Sequence, residues 1–281
     1  MPLGTAGPIK KAEKIIGNDQ PFLVLNGDLL TDINYKNLID QHKKSKALVT
    51  IALHEVEDPS RYGVAELTDE NCIKRFIEKP PKGTEPTKLI NAGVYVVNPE
   101  IFNQIPPKRA VSMEREIFPK LSENCQLYGQ ITTGLWVDIG KPEDYLETNK
   151  IMLDTLPDAA LIQKTKAVEF KKPILLDKKV SIGKNSTIGP YVVLGKNVTL
   201  GKNVQIQNSV IFQDTKIEDE VYIDGALIGE GAHICKGTKI AKGCIIADQV
   251  KVNCGISLPE GFFVCPAKEV SERILKSKNM C

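Results

Sequence analysis

The residues best suited to chemistry in this sequence are charged side chains that directly follow apolar runs. Asp28 ends the stretch Leu25-Asn26-Gly27-Asp28, just after the apolar run Pro21–Asn26. A carboxylate after a buried strand suits Mg²⁺, which takes one or two protein carboxylates and fills its other positions with water and substrate phosphate. A turn-capping role for Asp28 stands beside that reading. Asp138, in Leu135-Trp136-Val137-Asp138-Ile139-Gly140, offers a second carboxylate to the same ion. Trp136 is the one tryptophan of the chain and lies two residues earlier, so on a strand both side chains face the same way. A plain core position is the alternative for the indole.

Glu78 and Lys79 form a second pair of interest, followed by Pro80 and preceded by Phe76-Ile77. A carboxylate accepts hydrogen bonds from two sugar hydroxyls, and an ammonium neutralises a phosphate. The simpler reading is a solvated ion pair at a strand end. Asn91, in Asn91-Ala92-Gly93-Val94-Tyr95, adds a donor and an acceptor, and Gly63 sits in Tyr62-Gly63-Val64. Gly4 and Thr5 belong to the turn Pro2–Pro8 that leads into a helix. Such a turn leaves backbone N–H groups for a base edge or a phosphate, and is equally ordinary punctuation before a helix.

Positioning these residues requires alternating strands and helices. Continuous apolar runs at Pro21–Asn26 and Ala47–Leu53 read as buried strands. Further strands are expected at Val64–Leu67, Ile73–Ile77, Leu89–Val97, Leu127–Ile131 and Trp136–Ile139. Helical spacing of Ile9, Ala12, Ile15 and Ile16 precedes the first strand, and Asn34–Lys44, Pro99–Gln104, Met113–Glu123 and Pro142–Leu156 read as helices. Strands linked by crossover helices predict an α/β domain over residues 1–157, with a mostly parallel, Rossmann-like sheet. Ligands bind beside the strand ends of such sheets, where the charged pairs lie.

From residue 173 the pattern changes to a repeat. Aliphatic residues stand six apart at Ile182, Ile188, Leu194, Leu200 and Ile206, resume at Ile211, Ile217 and Ile223, and resume again at Ile228, Ile234, Ile240, Ile246 and Val252. Gly-Lys-Asn follows at residues 183–185, 195–197 and 201–203. A step of six fits a triangular parallel β-helix over residues 173–267, with roughly four coils and glycine and asparagine at the corners. The polar tail, residues 268–281, is helix-prone over Lys268–Lys278 and suited to covering the last open coil.

Composition narrows the functional classes. The 281 residues are 42% hydrophobic and 26% charged, with a net charge of +2, so no electrostatic footprint for nucleic acid or an anionic membrane is expected. No apolar run approaches the roughly 18 residues of a membrane span, and no signal core opens the chain. Seven cysteines, at 72, 125, 235, 244, 254, 265 and 281, include no Cys-x-x-Cys pair. They are expected to be thiols in a reducing cytoplasm rather than zinc ligands.

Taken in order, Leu-Gly-Thr-Ala-Gly, Asn-Gly-Asp, Tyr-Gly-Val, Glu-Lys-Pro, Asn-Ala-Gly-Val-Tyr and Trp-x-Asp-Ile-Gly, then the hexapeptide repeats, give a chain that resembles the sugar-1-phosphate nucleotidylyltransferases. Ser112-Met113-Glu114-Arg115-Glu116-Ile117-Phe118-Pro119 is similar to a stretch of the mannose-1-phosphate guanylyltransferase branch. The resemblance implies a left-handed β-helix after the α/β domain, a cytoplasmic enzyme, and self-association through the β-helix. It implies transfer of a nucleotidyl group from a nucleoside triphosphate to a sugar 1-phosphate, with release of pyrophosphate. Asp28 and Asp138 would hold Mg²⁺, and with Lys79 on the sugar phosphate they form the expected catalytic set. Glu78 and Asn91 would meet sugar hydroxyls, Gly63 would admit the sugar to the backbone, Trp136 would line the sugar site, and Gly4 and Thr5 would contact the nucleobase. The family's Gly-x-Gly-Thr-Arg-x-x-Pro loop, which grips the triphosphate, has no counterpart in these residues. Weak or no turnover by this polypeptide is therefore expected, along with exposed apolar surface beside the sheet.

Two other readings stand beside this one. A non-catalytic assembly subunit would use the β-helix alone, although it has no need of two carboxylates placed for a metal. An acyltransferase would want a histidine base, and His233 is the one histidine among the repeats.

Overall fold

The computed structural model describes residues 2–156, 167–271 and 279–281. They form two compact units, Met1–Asp138 and Ile139–Cys281.

In the first unit the order is α1 (Gly7–Ile16), β1 (Phe22–Leu25), β2 (Leu29–Thr31), α2 (Tyr35–Ser45), β3 (Val49–Glu55), β4 (Gly63–Leu67), β5 (Ile73–Glu78), β6 (Leu89–Val97), α3 (Phe118–Glu123), β7 (Leu127–Thr132) and β8 (Trp136–Asp138). The main sheet runs β5-β4-β6-β3-β7, with β1 also on β6. Strands β1, β3 and β7 share one direction, the parallel component expected from the crossovers. Strand β6 runs against both β1 and β3, so β3–β7 is the parallel ladder while β1–β6, β3–β6, β4–β5 and β4–β6 are antiparallel. The α/β class holds, and the inserted β6 makes the sheet mixed.

Both faces of this sheet are covered because apolar side chains alternate on both sides of its strands. On one face Val49, Ile51 and Leu53 of β3 join Tyr95 and Val97 of β6, with Ile9, Phe102 and Phe118 packed over them. On the other, Ala52, Ala92, Val94 and Val96 meet Leu38 of α2 and Ile33. Helix α2 starts where Asn34 accepts the Asn37 N–H at 3.0 Å, a side-chain cap. The short strand β2, absent from the sequence expectations, pairs antiparallel with β8.

The second unit begins with α4 (Pro142–Thr155), whose Tyr145 ring stacks on Phe212 at 6.2 Å. Three parallel sheets of seven, six and six strands then wind into a parallel β-solenoid, consistent with a left-handed β-helix. Its aliphatic residues fill the interior, from Ile174 through Ile206 and Ile240 to Val270. The solenoid is longer than the four coils expected. Strands at Val168–Phe170 and Ile174–Leu176 precede the clear repeat, and Ser257–Leu258, Phe263–Val264, Glu269–Val270 and Asn279–Met280 follow it. Helix propensity over Lys268–Lys278 gives way to a strand at Glu269–Val270, and residues 272–278 lie outside the described residues.

The Gly-Lys-Asn corners divide two tasks. Asn197 takes the left-handed conformation at φ 60°, while Gly195 lies so close to the next coil that a Cβ would meet the Gln213 amide nitrogen at 2.7 Å. Four cysteines depart from the expected thiols. Cys72–Cys125 and Cys265–Cys281 are disulfides, because the fold brings their Cα atoms to 5.6 and 4.8 Å. Cys235, Cys244 and Cys254 are free. Among the described residues, no helix is long and apolar enough to cross a membrane.

Candidate functional site

Strand ends and connecting turns of the first unit close around a cavity of about 220 Å³. Its wall contains Thr5, Asn26, Asp28, Leu29, Arg61, Tyr62, Gly63, Glu78, Lys79, Asn91, Gly93, Glu114, Trp136 and Asp138. Every candidate named from the sequence is among them except Gly4. That glycine sits at φ 70° against the Val111 backbone, so the structure gives it a packing role beside the wall.

The two aspartates arrive through the β2–β8 ladder. Leu29 is the register partner of Asp138, so Asp28 directly precedes the strand residue opposite Asp138, and both aspartates line the cavity. Trp136, two residues earlier on β8, donates its indole N–H to the Ala92 carbonyl at 2.9 Å. Its ring meets Tyr62 edge-on at 5.2 Å and stacks on His54 at 5.7 Å. The indole therefore packs against neighbouring strands and also lines the cavity.

Gly63 and Glu78 are register partners on β4 and β5. A Cβ on Gly63 would stand 2.8 Å from the Glu78 carboxylate and 2.5 Å from Phe76 Cζ, so only glycine leaves that carboxylate its place. Glu78 has a 17% exposed side chain, and Lys79 Nζ lies 4.0 Å from its Oε1. Burial raises the Glu78 carboxyl above its ordinary range, and the nearby Glu114 charge adds to the rise against Lys79 and Arg115. Lys79 has φ 49°, rare for a residue with a side chain, and its N–H donates to the Tyr62 carbonyl at 3.1 Å. Asn91 donates to the Tyr95 hydroxyl at 3.0 Å and accepts the Gly93 N–H at 2.9 Å, which fixes its amide at the wall. Burial, reinforced by the Glu114 charge, pushes the Tyr95 hydroxyl up, so it stays protonated.

Glu114 and Arg61 are the charged wall residues that sequence reasoning did not assign to the site. Glu114 accepts from Thr5 Oγ1 at 2.6 Å and from Ser112 Oγ at 2.7 Å, while Thr5 Oγ1 accepts the Met113 N–H at 2.8 Å. The Ser-x-Glu pair thus ties the Thr5 turn to the start of the helical segment Met113–Ile117. Arg61 has its guanidinium 5.8 Å from the Tyr62 ring centre. Its position directly before Tyr62-Gly63 was the available signal.

The wall therefore carries four carboxylates, Asp28, Glu78, Glu114 and Asp138, against the two cations Arg61 and Lys79. An anionic ligand would meet net repulsion there unless a cation entered with it. Asp28 and Asp138 suit that cation: two hard oxygen donors, few enough to leave positions for water and phosphate.

Comparison with known proteins gives two family matches. The nucleotidyl transferase model matches residues 1–155, and the GMPPB C-terminal domain model matches residues 170–280. The mannose-1-phosphate guanylyltransferase catalytic subunit beta of Drosophila pseudoobscura pseudoobscura is 41% identical over 156 residues, 55% of this chain and 41% of that protein. The mannose-1-phosphate guanyltransferase of Saccharomyces cerevisiae is 42% identical over 158 residues, 55% of this chain and 43% of that protein. The matches thus span less than half the length of these curated relatives.

Proposed function

Because the chain belongs to the nucleotidyl transferase family, we propose that its first-unit cavity binds a sugar 1-phosphate, mannose 1-phosphate in particular, as the acceptor of a nucleotidyl group. The observation that carries this reading is the meeting of Glu78, Lys79, Asn91, Asp28 and Asp138 at one small cavity. At about 220 Å³ it is smaller than the roughly 300–1,000 Å³ of drug-sized sites, and suits one sugar phosphate rather than a whole nucleotide sugar.

In the proposed reaction a phosphate oxygen of the sugar 1-phosphate attacks the α-phosphorus of the nucleoside triphosphate. A new P–O bond forms, the bond to the bridging oxygen breaks, and pyrophosphate leaves with the electron pair. Such a transfer needs alignment and charge neutralisation more than a covalent nucleophile. Glu78 accepts from sugar hydroxyls, and its shielded position keeps water from competing. Asn91 is held by Tyr95 and Gly93 and offers its amide to the same ring. Lys79 pairs with the phosphate, and the Gly63 backbone gives the sugar room. The Trp136 face closes the wall, and the Thr5 turn is the candidate contact for a guanine base. Asp28 and Asp138 would hold Mg²⁺, which would supply positive charge to the phosphate oxygens.

The supporting relatives carry the substrate in their names, and GTP is the donor that a guanylyltransferase name implies. The family's triphosphate loop does not occur among these 281 residues, so this polypeptide is expected to bind acceptor and turn over weakly or not at all. Calorimetric titration with mannose 1-phosphate, mannose and inorganic phosphate tests the reading. Binding of mannose 1-phosphate at least tenfold tighter than of either fragment is expected, and equal affinities would refute it. Pyrophosphate release at a rate typical of enzymes, about 1–1,000 s⁻¹, would overturn the expectation of weak turnover.

A further inference from the structure

The β-helix carries a second constellation that the sugar-phosphate reading does not use. Glu218, His233 and Cys235 stand together on one of its three faces, with one ligand atom from each within 4.8 Å of the others. His233 Nε2 lies 2.8 Å from Glu218 Oε1 and 3.9 Å from Cys235 Sγ. The parallel register creates the cluster, since Lys216 and Ile217 pair with His233 and Ile234, and these with Lys251 and Val252. Cys235 and Glu218 each follow the inward-facing isoleucine of adjacent coils.

The structure assigns Glu218, His233 and Cys235 as a binding site for a zinc-class divalent ion. One sulfur, one imidazole and one carboxylate are donor types that tetrahedral zinc takes, with bonds of about 2.0–2.3 Å and a fourth position left to water. Sulfur and nitrogen donors disfavour Mg²⁺ and Ca²⁺, which prefer oxygen. A tetrahedral ion would hold its ligand atoms roughly 3.3–3.8 Å apart by those bond lengths, so the present separations need only small side-chain shifts. The carboxylate is already aimed, because the Lys236 N–H donates to Glu218 Oε2 at 3.1 Å and turns Oε1 toward His233. Cys235 is 6% exposed, which shields one side of the site.

Opposing charge is limited. Lys216 Nζ lies 3.7 Å from Glu218 Oε1, but its side chain is 61% exposed and free to swing into water. Lys251 is taken by Glu269 at 2.9 Å. Binding would release the Cys235 thiol proton, and the thiolate and the Glu218 carboxylate would together neutralise the ion. Sequence spacing hides this set because Glu218 comes from the coil before His233 and Cys235, outside any Cys-x-x-Cys pattern. The histidine is thereby accounted for without acyl transfer.

The test is metal binding by the intact chain, stripped with chelator and titrated with Co²⁺ and then Zn²⁺. One Co²⁺ per chain with thiolate charge-transfer and tetrahedral ligand-field bands is expected, displaced by one Zn²⁺. His233→Ala and Cys235→Ser should each weaken binding at least tenfold, while Cys244→Ser leaves it unchanged. His233 is partly exposed, so its variant should keep the circular dichroism of the parent even if Cys235→Ser does not fold. Failure to bind Co²⁺ at micromolar concentration, or undiminished binding by His233→Ala, would overturn the assignment.

Discussion

Replacing Gly63 by alanine would test how tightly the sugar side of the cavity is built. The added methyl would meet Phe76 Cζ at 2.5 Å and Glu78 Oε2 at 2.8 Å, where ordinary contact begins near 3.4 Å. The backbone of Gly63 is outside the left-handed region, so crowding and not strain sets the penalty. Phe76 is buried and edge-on to Phe118 at 5.3 Å, which leaves the ring little room to retreat. Overpacking of this kind costs about 1–3 kcal/mol. Urea unfolding should show a lower midpoint with an unchanged slope, the mark of lost stability without a changed unfolded state. The Glu78 carboxylate must also move by on the order of half an ångström, enough to weaken a charge-assisted hydrogen bond of about 1.5–3 kcal/mol. That amounts to roughly tenfold or more in the dissociation constant for mannose 1-phosphate. Trp136 is the one tryptophan and lies in the cavity wall, so its fluorescence reports the titration directly. A Gly63→Ala chain with the parent's midpoint and affinity would refute the reasoning.

Glu78→Gln separates stability from binding. The folded-state carboxyl is raised by burial, so the stability it favours is full below its ordinary value and is lost as pH rises through the folded value. At neutral pH the glutamine variant should therefore melt higher than the parent, with the gap closing below about pH 4.5, while mannose 1-phosphate binding falls. Trp136→Phe removes the indole bond to Ala92 and should cost about 0.5–1.5 kcal/mol in unfolding free energy. Asn197→Ala places a Cβ residue without a capping amide at φ 60° and removes the 2.7 Å bond to Asp214. Differential scanning calorimetry of that variant should show a loss of about 1–2 kcal/mol.

The candidate residues were legible one stretch at a time, and their grouping around one ion and one sugar phosphate was expected from the resemblance and not from local pattern. Asp28, Glu78 and Asp138 stood out because each follows an apolar strand, a local signal. Their meeting depends on β2–β8 and β4–β5 pairing, which no local pattern reveals. Arg61 was hidden because an arginine before a turn reads as surface, and Glu114 because an acid in the first turn of a helix reads as a helix start. The repeat gave the solenoid, since one aliphatic side chain per six residues must enter the interior. Its outer coils escaped notice because Phe170 and the Pro259-Glu260 turn break the aliphatic and Gly-Asn pattern there. The reversed direction of β6 was equally hidden, because an inserted antiparallel strand has the same apolar composition as its neighbours. Cysteine pairing and the Glu218–His233–Cys235 cluster depend on positions brought together by the fold.

The most direct test of the central proposal is the Mg²⁺ dependence of mannose 1-phosphate binding, measured by Trp136 fluorescence in the parent and in Asp138→Ala. Four carboxylates against two cations should repel a phosphate until a divalent ion intervenes. Added Mg²⁺ is therefore expected to tighten binding by at least tenfold in the parent and to have little effect in the variant, about 1.4 kcal/mol of coupling that needs Asp138. Equal binding with and without Mg²⁺, or an undiminished Mg²⁺ effect in Asp138→Ala, would contradict it.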